Sequence, residues 1–302
     1  MSDFFQALSQ VLRDEQVRVQ EPMSRHTTFR AGGPADYYVE PETREELAAV
    51  LDLCRQRSMP SYILGNGSNL LVGDKGYRGV MVAMGKSWAE AEAEGCRIRA
   101  GAGFLLSAAS RLAFKESLAG MEFAFGIPGT VGGAVVMNAG AYGSELCDVL
   151  GQVTVLTPEG QIQRLSSKEL EMGYRTSCVC SRGLVVLEAE FVLTHGEQED
   201  IRQRMEELTE KRKARQPLEY PSAGSTFKRP SGHFAGKLIE EAGLRGFSVG
   251  DAQVSEKHCG FVINRGTAAA SEILTVCREV QKRVLEYSGV ELDLEVKLVG
   301  EF

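Results

Sequence analysis

Between Gly126 and Gly143 the chain reads Gly-Ile-Pro-Gly-Thr-Val-Gly-Gly-Ala-Val-Val-Met-Asn-Ala-Gly-Ala-Tyr-Gly, without one charged residue. Glycine weakens regular structure, so this run is expected to be neither a packed helix nor an ordinary strand. It does let backbone N–H groups approach a bound anion with no Cβ in the way. Two readings follow from the run alone: a buried, tightly turned loop, or a wall that cradles the pyrophosphate of a cofactor.

The stretches before it have an α/β pattern. Residues 3–12 read as a short amphipathic helix, with Phe4, Leu8, Val11 and Leu12 on one side. A strand is expected at Tyr37–Val39, then a helix from Thr43, where Thr43-Arg44-Glu45-Glu46 fits a capping box and Leu47, Val50, Leu51 and Cys54 follow at helical spacing. Strand Ser61–Leu64 then runs into a second glycine loop, Gly65-Asn66-Gly67-Ser68-Asn69. That loop is not a Rossmann fingerprint, because Leu70 stands where the third glycine should be and no helix opens there. Nor is there a Walker motif: Gly236-Lys237 is followed by Leu238. Phosphate binding by this loop therefore implies a different fold.

Strands at Val80–Met84 and Arg97–Ala100 and a helix near Leu105–Phe114 lead into the glycine run. A hairpin over Gln152–Leu165 and a strand at Val185–Leu193 follow, and between them lies Met172-Gly-Tyr-Arg-Thr-Ser177. The charged helix of residues 200–215 has Ile201, Met205 and Leu208 as its apolar side, and its Lys211-Arg-Lys-Ala-Arg215 end reads as a solvated terminus complementing the dipole. A proline-bounded loop, helices near 235–242 and 271–287 and a strand at Gly260–Asn264 come next. Val290–Leu298 closes with strict alternation, Glu291, Asp293, Glu295 and Lys297 opposing an apolar face that ends at Leu298.

Composition narrows the partners. A net charge of −7 with scattered Lys and Arg argues against nucleic acid, and no stretch approaches the ~20 apolar residues of a membrane span. Without a signal peptide, and with seven dispersed cysteines, an odd number, the chain is expected in the cytoplasm with free thiols. Cys178 and Cys180 lack a second pair and the four histidines form no H-E-x-x-H, so no metal is expected.

The two glycine loops, Tyr174-Arg175, Gly224-Ser225-Thr-Phe-Lys228 and the segment around Glu295, in this order, closely resemble the UDP-N-acetylenolpyruvoylglucosamine reductase (MurB) family from about Thr27 onward. The resemblance implies an α+β fold: an FAD-binding domain of the vanillyl-alcohol-oxidase/p-cresol-methylhydroxylase type, built from two α/β subdomains, followed by a MurB-like substrate-binding α+β domain. The expected division is residues 1–29 as helix and lead-in, 30–196 as the FAD domain (subdomains about 30–80 and 81–196), and 197–302 as the substrate domain, its final strand returning to the active site. The short link between Leu193 and Asp200 resembles the family type that lacks an inserted tyrosine-bearing loop.

The resemblance implies non-covalent FAD, NADPH as co-substrate and a UDP-sugar substrate, with no obligate protein partner and a monomeric chain. Hydride passes from NADPH to the flavin N5 and then to the vinyl carbon of an enolpyruvyl ether, and an enolate-like anion is protonated beside the carboxylate. Arg175 matches the family's stabiliser of that anion, Ser225 its proton donor, and Glu295 a glutamate near the substrate. Arg215, Lys228 and His258 match positions near the UDP phosphates, and Tyr174 is expected beside the substrate. For FAD, the expected contacts are Gly65, Asn66, Gly67, Ser68 and Asn69 in the first loop. In the second they are Gly126, Ile127, Pro128, Gly129, Thr130, Gly132 and Gly133, followed by Asn138, Ala141, Tyr142 and Gly143. Lys297, on the strand face of Glu295, is a further candidate for the cofactor.

Two other readings stay open. A flavin oxidase of the same fold acting on a sugar or alcohol would not need Ser225 and Glu295 in these contexts, and none of the histidines lies in a glycine loop for covalent attachment. A binding protein that kept the fold without catalysis would not need the intact Arg175, Ser225 and Glu295.

Overall fold

Alternating side chains build the largest sheet. In the computed structural model, which describes residues 3–302, antiparallel strands lie in the order Ile162–Ser166, Leu150–Leu156, Val185–Val192, Arg97–Gly101, Ala91–Glu94. Ala189 pairs with Val153 on one side and Ala100 on the other. These three, with Val155, Phe191 and Ile98, are buried, because every second residue of a strand shares a face. Charge takes the other face, where Arg97 and Arg99 reach Glu190, and Arg99 also reaches Glu92 and Glu94.

This sheet belongs to the first of two compact units, which takes in residues up to 18, 38–66 and 80–212. The same unit contains a strand–helix–strand piece. Helix Arg44–Gln56 is capped by Thr43, whose hydroxyl accepts the Glu46 N–H at 3.1 Å, and it buries Leu47, Val50 and Cys54. Ser61–Leu64 then runs parallel to residues 80–83. The N-terminal helix is shorter than its periodicity suggests, Asp3–Leu8, yet Leu8 and Leu12 are both buried.

The glycine run departs from its expectation, because Val131–Met137 is an α-helix. Packing overrides propensity here. Val131, Ala134 and Val135 are buried, and Gly132 lies so close to Ala102 that an added Cβ would come within 2.9 Å of its methyl. Glycine is what permits that approach.

The second unit collects residues 19–37, 67–79 and 213–302. Its three-stranded antiparallel sheet, Ser248–Val249, Ala252–Val254 and Val262–Asn264, shares a core with helices Ala235–Glu241 and Ala270–Ser288. Ile239, Val254, Val262, Ile273 and Val280 form its centre. Asp74 caps the longer helix, accepting the N–H groups of Ala270 and Ser271 at 2.7 and 2.9 Å.

The closing alternation is less regular than its sequence. Only Lys297–Val299 is a strand, parallel to Leu70–Val72, and Leu298 is 41% exposed. The cause is a change of partner: Glu295 and Val296 both donate to the Thr226 carbonyl, whereas Lys297 donates to that of Asn69. Leu292 and Val296 still point inward.

Candidate active site

In the first unit a single asparagine ties the glycine wall to the Tyr174-Arg175 turn. Asn138 ends the wall helix at φ 41°, a left-handed conformation that asparagine tolerates better than most residues. Its amide donates to the Gly173 carbonyl at 3.1 Å and to Glu145 Oε2 at 2.9 Å, and its oxygen accepts the Cys147 N–H at 3.0 Å. It has no exposed surface. A side chain so engaged positions its neighbours, so Asn138 has no amide group left over for a cofactor.

Gly173 and Thr176 exchange backbone hydrogen bonds of 3.0 and 3.2 Å, closing a tight turn with Tyr174 and Arg175 at its tip. Arg175 is held at φ 56°. Left-handed backbone costs an ordinary residue roughly 1–2 kcal/mol, and the surrounding bonds hold it there. Its guanidinium donates to the Gly140 carbonyl at 3.0 Å and lies over the Tyr174 ring, 5.1 Å from the centroid. Gly140–Ala141 and Ser144–Glu145 form a hairpin whose two loop residues, Tyr142 and Gly143, both have positive φ, as a type I′ turn requires. Arg175 is thus braced against the far end of the glycine run.

The two glycine loops also meet in this unit. A Cβ on Gly65 would lie 2.5 Å from the Thr130 hydroxyl, and the Asn66 amide donates to the Pro128 carbonyl. Two loops this close leave backbone, and little side chain, to face a ligand. This is a cradle that a single Cβ would disturb, which suits a dinucleotide's pyrophosphate.

In the second unit, Gly67 has φ 59° and its Cβ position lies 2.0 Å from the His26 carbonyl oxygen, so no other residue fits there. Ser68 is half-buried beside it. Asn69 donates to the Glu295 carbonyl at 3.1 Å and accepts from the Lys297 N–H at 3.0 Å. The Glu295 N–H donates to the Thr226 carbonyl at 2.9 Å, and Phe227 bridges Leu294. Ser225, Glu295 and Asn69 are therefore carried on three adjoining segments of backbone. Thr226 is fully buried, its hydroxyl accepting the Val262 N–H at 2.9 Å. Its neighbour Ser225 is exposed and makes no hydrogen bond among the described residues. Of the two hydroxyls, one anchors and the other is available.

Lys228 is fixed by its N–H to the Asp293 carbonyl, 2.8 Å. His258 accepts the Gly260 N–H at Nδ1, 3.1 Å, which leaves the proton of the neutral ring on Nε2. Burial lowers the His258 pKa against an opposing backbone hydrogen bond, and the Arg215 charge lowers it further. Arg215 and His258 are thus neighbours, with a cation and a neutral N–H donor to offer. Lys297 is exposed on its strand, while Glu295 precedes the strand and is half-buried. Among the described residues no cluster of His, Cys, Asp and Glu could hold a metal.

One residue absent from the sequence expectations belongs to the wall. The Arg212 side chain packs over Gly126, its Cδ 2.8 Å from where a Cβ would stand. The spacing Ile201, Met205, Leu208 predicts 212 as the next inward position of the helix. The surrounding run of basic residues hid that signal.

Comparison with known proteins fits this geometry. Residues 35–166 match the family model described as an FAD binding domain, and residues 216–299 that of the UDP-N-acetylenolpyruvoylglucosamine reductase C-terminal domain. The enzyme of that name from Agathobacter rectalis is 54% identical over 294 residues, 93% of each chain. That from Clostridium tetani is 50% identical, covering 99% of this chain and 97% of its own. The crystal structure of the reductase from Thermus caldophilus superposes with a TM-score of 0.83 at 37% identity, covering 94% of this chain and 99% of that one. At 11% identity and a TM-score of 0.50, the glucose dehydrogenase Phl p 4.0202 shares the fold alone.

Proposed function

The chain belongs to the UDP-N-acetylenolpyruvoylglucosamine reductase family, and we propose that it reduces the enolpyruvyl ether of UDP-N-acetylglucosamine enolpyruvate to UDP-N-acetylmuramate, a step of peptidoglycan precursor synthesis. It is an FAD oxidoreductase that uses NADPH. Bound FAD would supply a hydride, taken from NADPH, to the vinyl carbon of the substrate. The meeting of the Gly65 and Thr130 loops supports a non-covalent seat for FAD at 65–69 and 126–133, with Ala141, Tyr142, Gly143 and Lys297 as further contacts.

The remaining chemistry falls to side chains. Hydride addition leaves an anion beside a carboxylate, and a fixed guanidinium is the right counter-charge for it. Arg175 takes this role, pre-organised by its strained turn and its bond to Gly140. Ser225 delivers the proton to carbon; serine is a feeble acid, so nearby positive charge has to stabilise the alkoxide. Glu295 polarises the enol ether or assists that transfer. Tyr174, Arg215, Lys228 and the neutral His258 are assigned to the nucleotide and sugar. The observation that supports the reading best is the backbone bond from Glu295 to the residue after Ser225, which holds the two acids in fixed relation. Among the described residues no helix is long and apolar enough to cross a membrane.

A visible spectrum tests the assignment. The FAD-loaded protein should show flavin bands that bleach with NADPH under anaerobic conditions and return on adding the enolpyruvyl nucleotide. Colour restored by oxygen alone would favour an oxidase, and a protein that stays colourless with FAD would overturn the flavin reading.

A further inference from the structure

The last stretch of the chain changes partners at Glu295. Up to that residue it runs beside the segment after Ser225. The Lys228 N–H donates to the Asp293 carbonyl at 2.8 Å, Phe227 and Leu294 form an antiparallel bridge, and the Glu295 N–H donates to the Thr226 carbonyl at 2.9 Å. Beyond Glu295 the chain runs parallel to the segment after the first glycine loop, with Lys297, Leu298 and Val299 opposite Leu70, Leu71 and Val72. Thr226 is itself fixed, its N–H donating to the Gly260 carbonyl and its hydroxyl accepting the Val262 N–H, both at 2.9 Å. Leu71, Phe227, Leu292 and Val296 share one core, so the three segments pack as one piece.

A residue at such a crossover falls between two ladders, and its main-chain groups need partners from elsewhere. The Asn69 side chain is one such partner. Its amide donates to the Glu295 carbonyl at 3.1 Å, while its main-chain carbonyl accepts the Lys297 N–H at 3.0 Å. Glu295 is thus held from both sides, by its N–H to the segment of Ser225 and by its carbonyl to the glycine loop. The base of the asparagine is firm. Before it, Gly67 sits at φ 59° with its Cβ position 2.0 Å from the His26 carbonyl oxygen, and after it Leu70, Leu71 and Val72 are buried. Few side chains could replace it. Serine carries a donor on a shorter arm, and aspartate would set an acceptor against an acceptor.

We propose that Asn69 is a positioning residue for the substrate half-reaction, its amide holding the Glu295 backbone so that the carboxyl stays in place beside Ser225. The proposal rests on the roles given above to FAD and Glu295. It gives the Asn69 side chain a task other than touching the cofactor, and leaves the cofactor to the backbone of the loop. Such placement matters because a shift of about 1 Å in a catalytic group can cost about 10²-fold.

The test compares wild type, Asn69→Ala, Asn69→Ser, Glu295→Gln and the double variant Asn69→Ala with Glu295→Gln, each checked for folding by thermal melting. FAD affinity is read by quenching of flavin fluorescence, and each half-reaction by anaerobic stopped-flow absorbance. Asn69→Ala should slow reoxidation by the enolpyruvyl nucleotide about tenfold to a hundredfold, with FAD affinity and reduction by NADPH within about threefold of wild type. In the Glu295→Gln background the same change should add no more than about twofold, because a residue that acts through Glu295 has nothing left to position. Asn69→Ser should recover part of the rate, and it gives a folded comparison if the alanine variant is unstable. Lost FAD affinity with both half-reactions slowed alike would make the side chain a cofactor contact and overturn the proposal. Equal losses in the two backgrounds would make Asn69 a packing residue and overturn it too, as would unchanged kinetics. Reoxidation left intact by Glu295→Gln alone would remove the role of Glu295, and a wild type that takes up no FAD would remove the flavin reading; the proposal falls with either.

Discussion

Asn138 and Gly173, 35 residues apart in sequence, share a hydrogen bond of 3.1 Å. Through it the C-terminus of the wall helix fixes the turn that carries Arg175, so the glycine run and the Arg175 turn are one mechanical piece within the first unit. Replacing Asn138 with Ala removes this bond and those to Glu145 and Cys147, and puts alanine at a left-handed position. The expected cost is about 2–4 kcal/mol. Asn138→Gly should recover part of it by relieving the backbone. Urea unfolding of both variants measures this, and a loss near zero would mean that the lock is ornamental.

The meeting of the glycine loops makes a separate prediction. Gly65→Ala sets a methyl against the Thr130 hydroxyl. FAD affinity should fall at least about tenfold, the scale of a local overpacking of 1–3 kcal/mol. Adding Thr130→Ala removes the clashing oxygen and should restore part of the affinity, although it also uncaps the wall helix. FAD titration of the single and double variants decides it; equal losses in both would show that the loops do not hold each other.

Much of the fold was legible in the chain itself, as were the segments that carry the candidate site residues, and the illegible parts have physical causes. Short motifs and the family resemblance they carry singled out Gly65–Asn69, Arg175 and Ser225 as candidates, because such motifs are local in sequence. The helix Val131–Met137 was hidden because glycine's poor propensity is a local rule, and the Gly132–Ala102 contact that reverses it is not. The irregular backbone at Glu295 was hidden for the same reason: perfect alternation says nothing about whether one partner strand runs alongside throughout. Arg212 went unseen since a basic helix end is usually solvent-facing, and only its phase with Leu208 gave it away.

Arg175 should separate the two half-reactions. In its proposed role Arg175 is the counter-charge needed after hydride has left the flavin, so with Arg175→Ala reoxidation by the enolpyruvyl nucleotide should slow about 10²–10³-fold. Reduction by NADPH should change little. Arg175→Lys restores charge without the fork and should recover only part of the rate. Stopped-flow absorbance of each half-reaction checks it, and an equal slowing of both would point to a damaged flavin seat instead.

Asp74 predicts an acid-sensitive contribution to stability. Burial pushes its carboxyl up, but the Ser271 hydroxyl and the N–H groups of Ser271 and Ala270 outweigh it and hold the pKa below the usual carboxylate range. A depressed folded pKa gives stability that is complete above the unfolded value, ~3.9, and is lost as pH falls through the folded one. Asp74→Ala should therefore cost about 1–2 kcal/mol at pH 7, and the difference from wild type should shrink below pH 4. A pH series of urea midpoints tests this; a gap that persists at pH 2 would contradict the assignment of the cap to the charged form.

The central claim is that Ser225, exposed next to a buried and anchored Thr226, gives its proton to the substrate carbon. Its most direct test is a pair of anaerobic single-turnover measurements on Ser225→Ala. Flavin reduction by NADPH should stay within about twofold of wild type, while reoxidation by the enolpyruvyl nucleotide should fall about 10²–10⁴-fold, the usual worth of a general acid. Two half-reactions slowed to the same extent, or neither slowed, would show that Ser225 is not the proton donor.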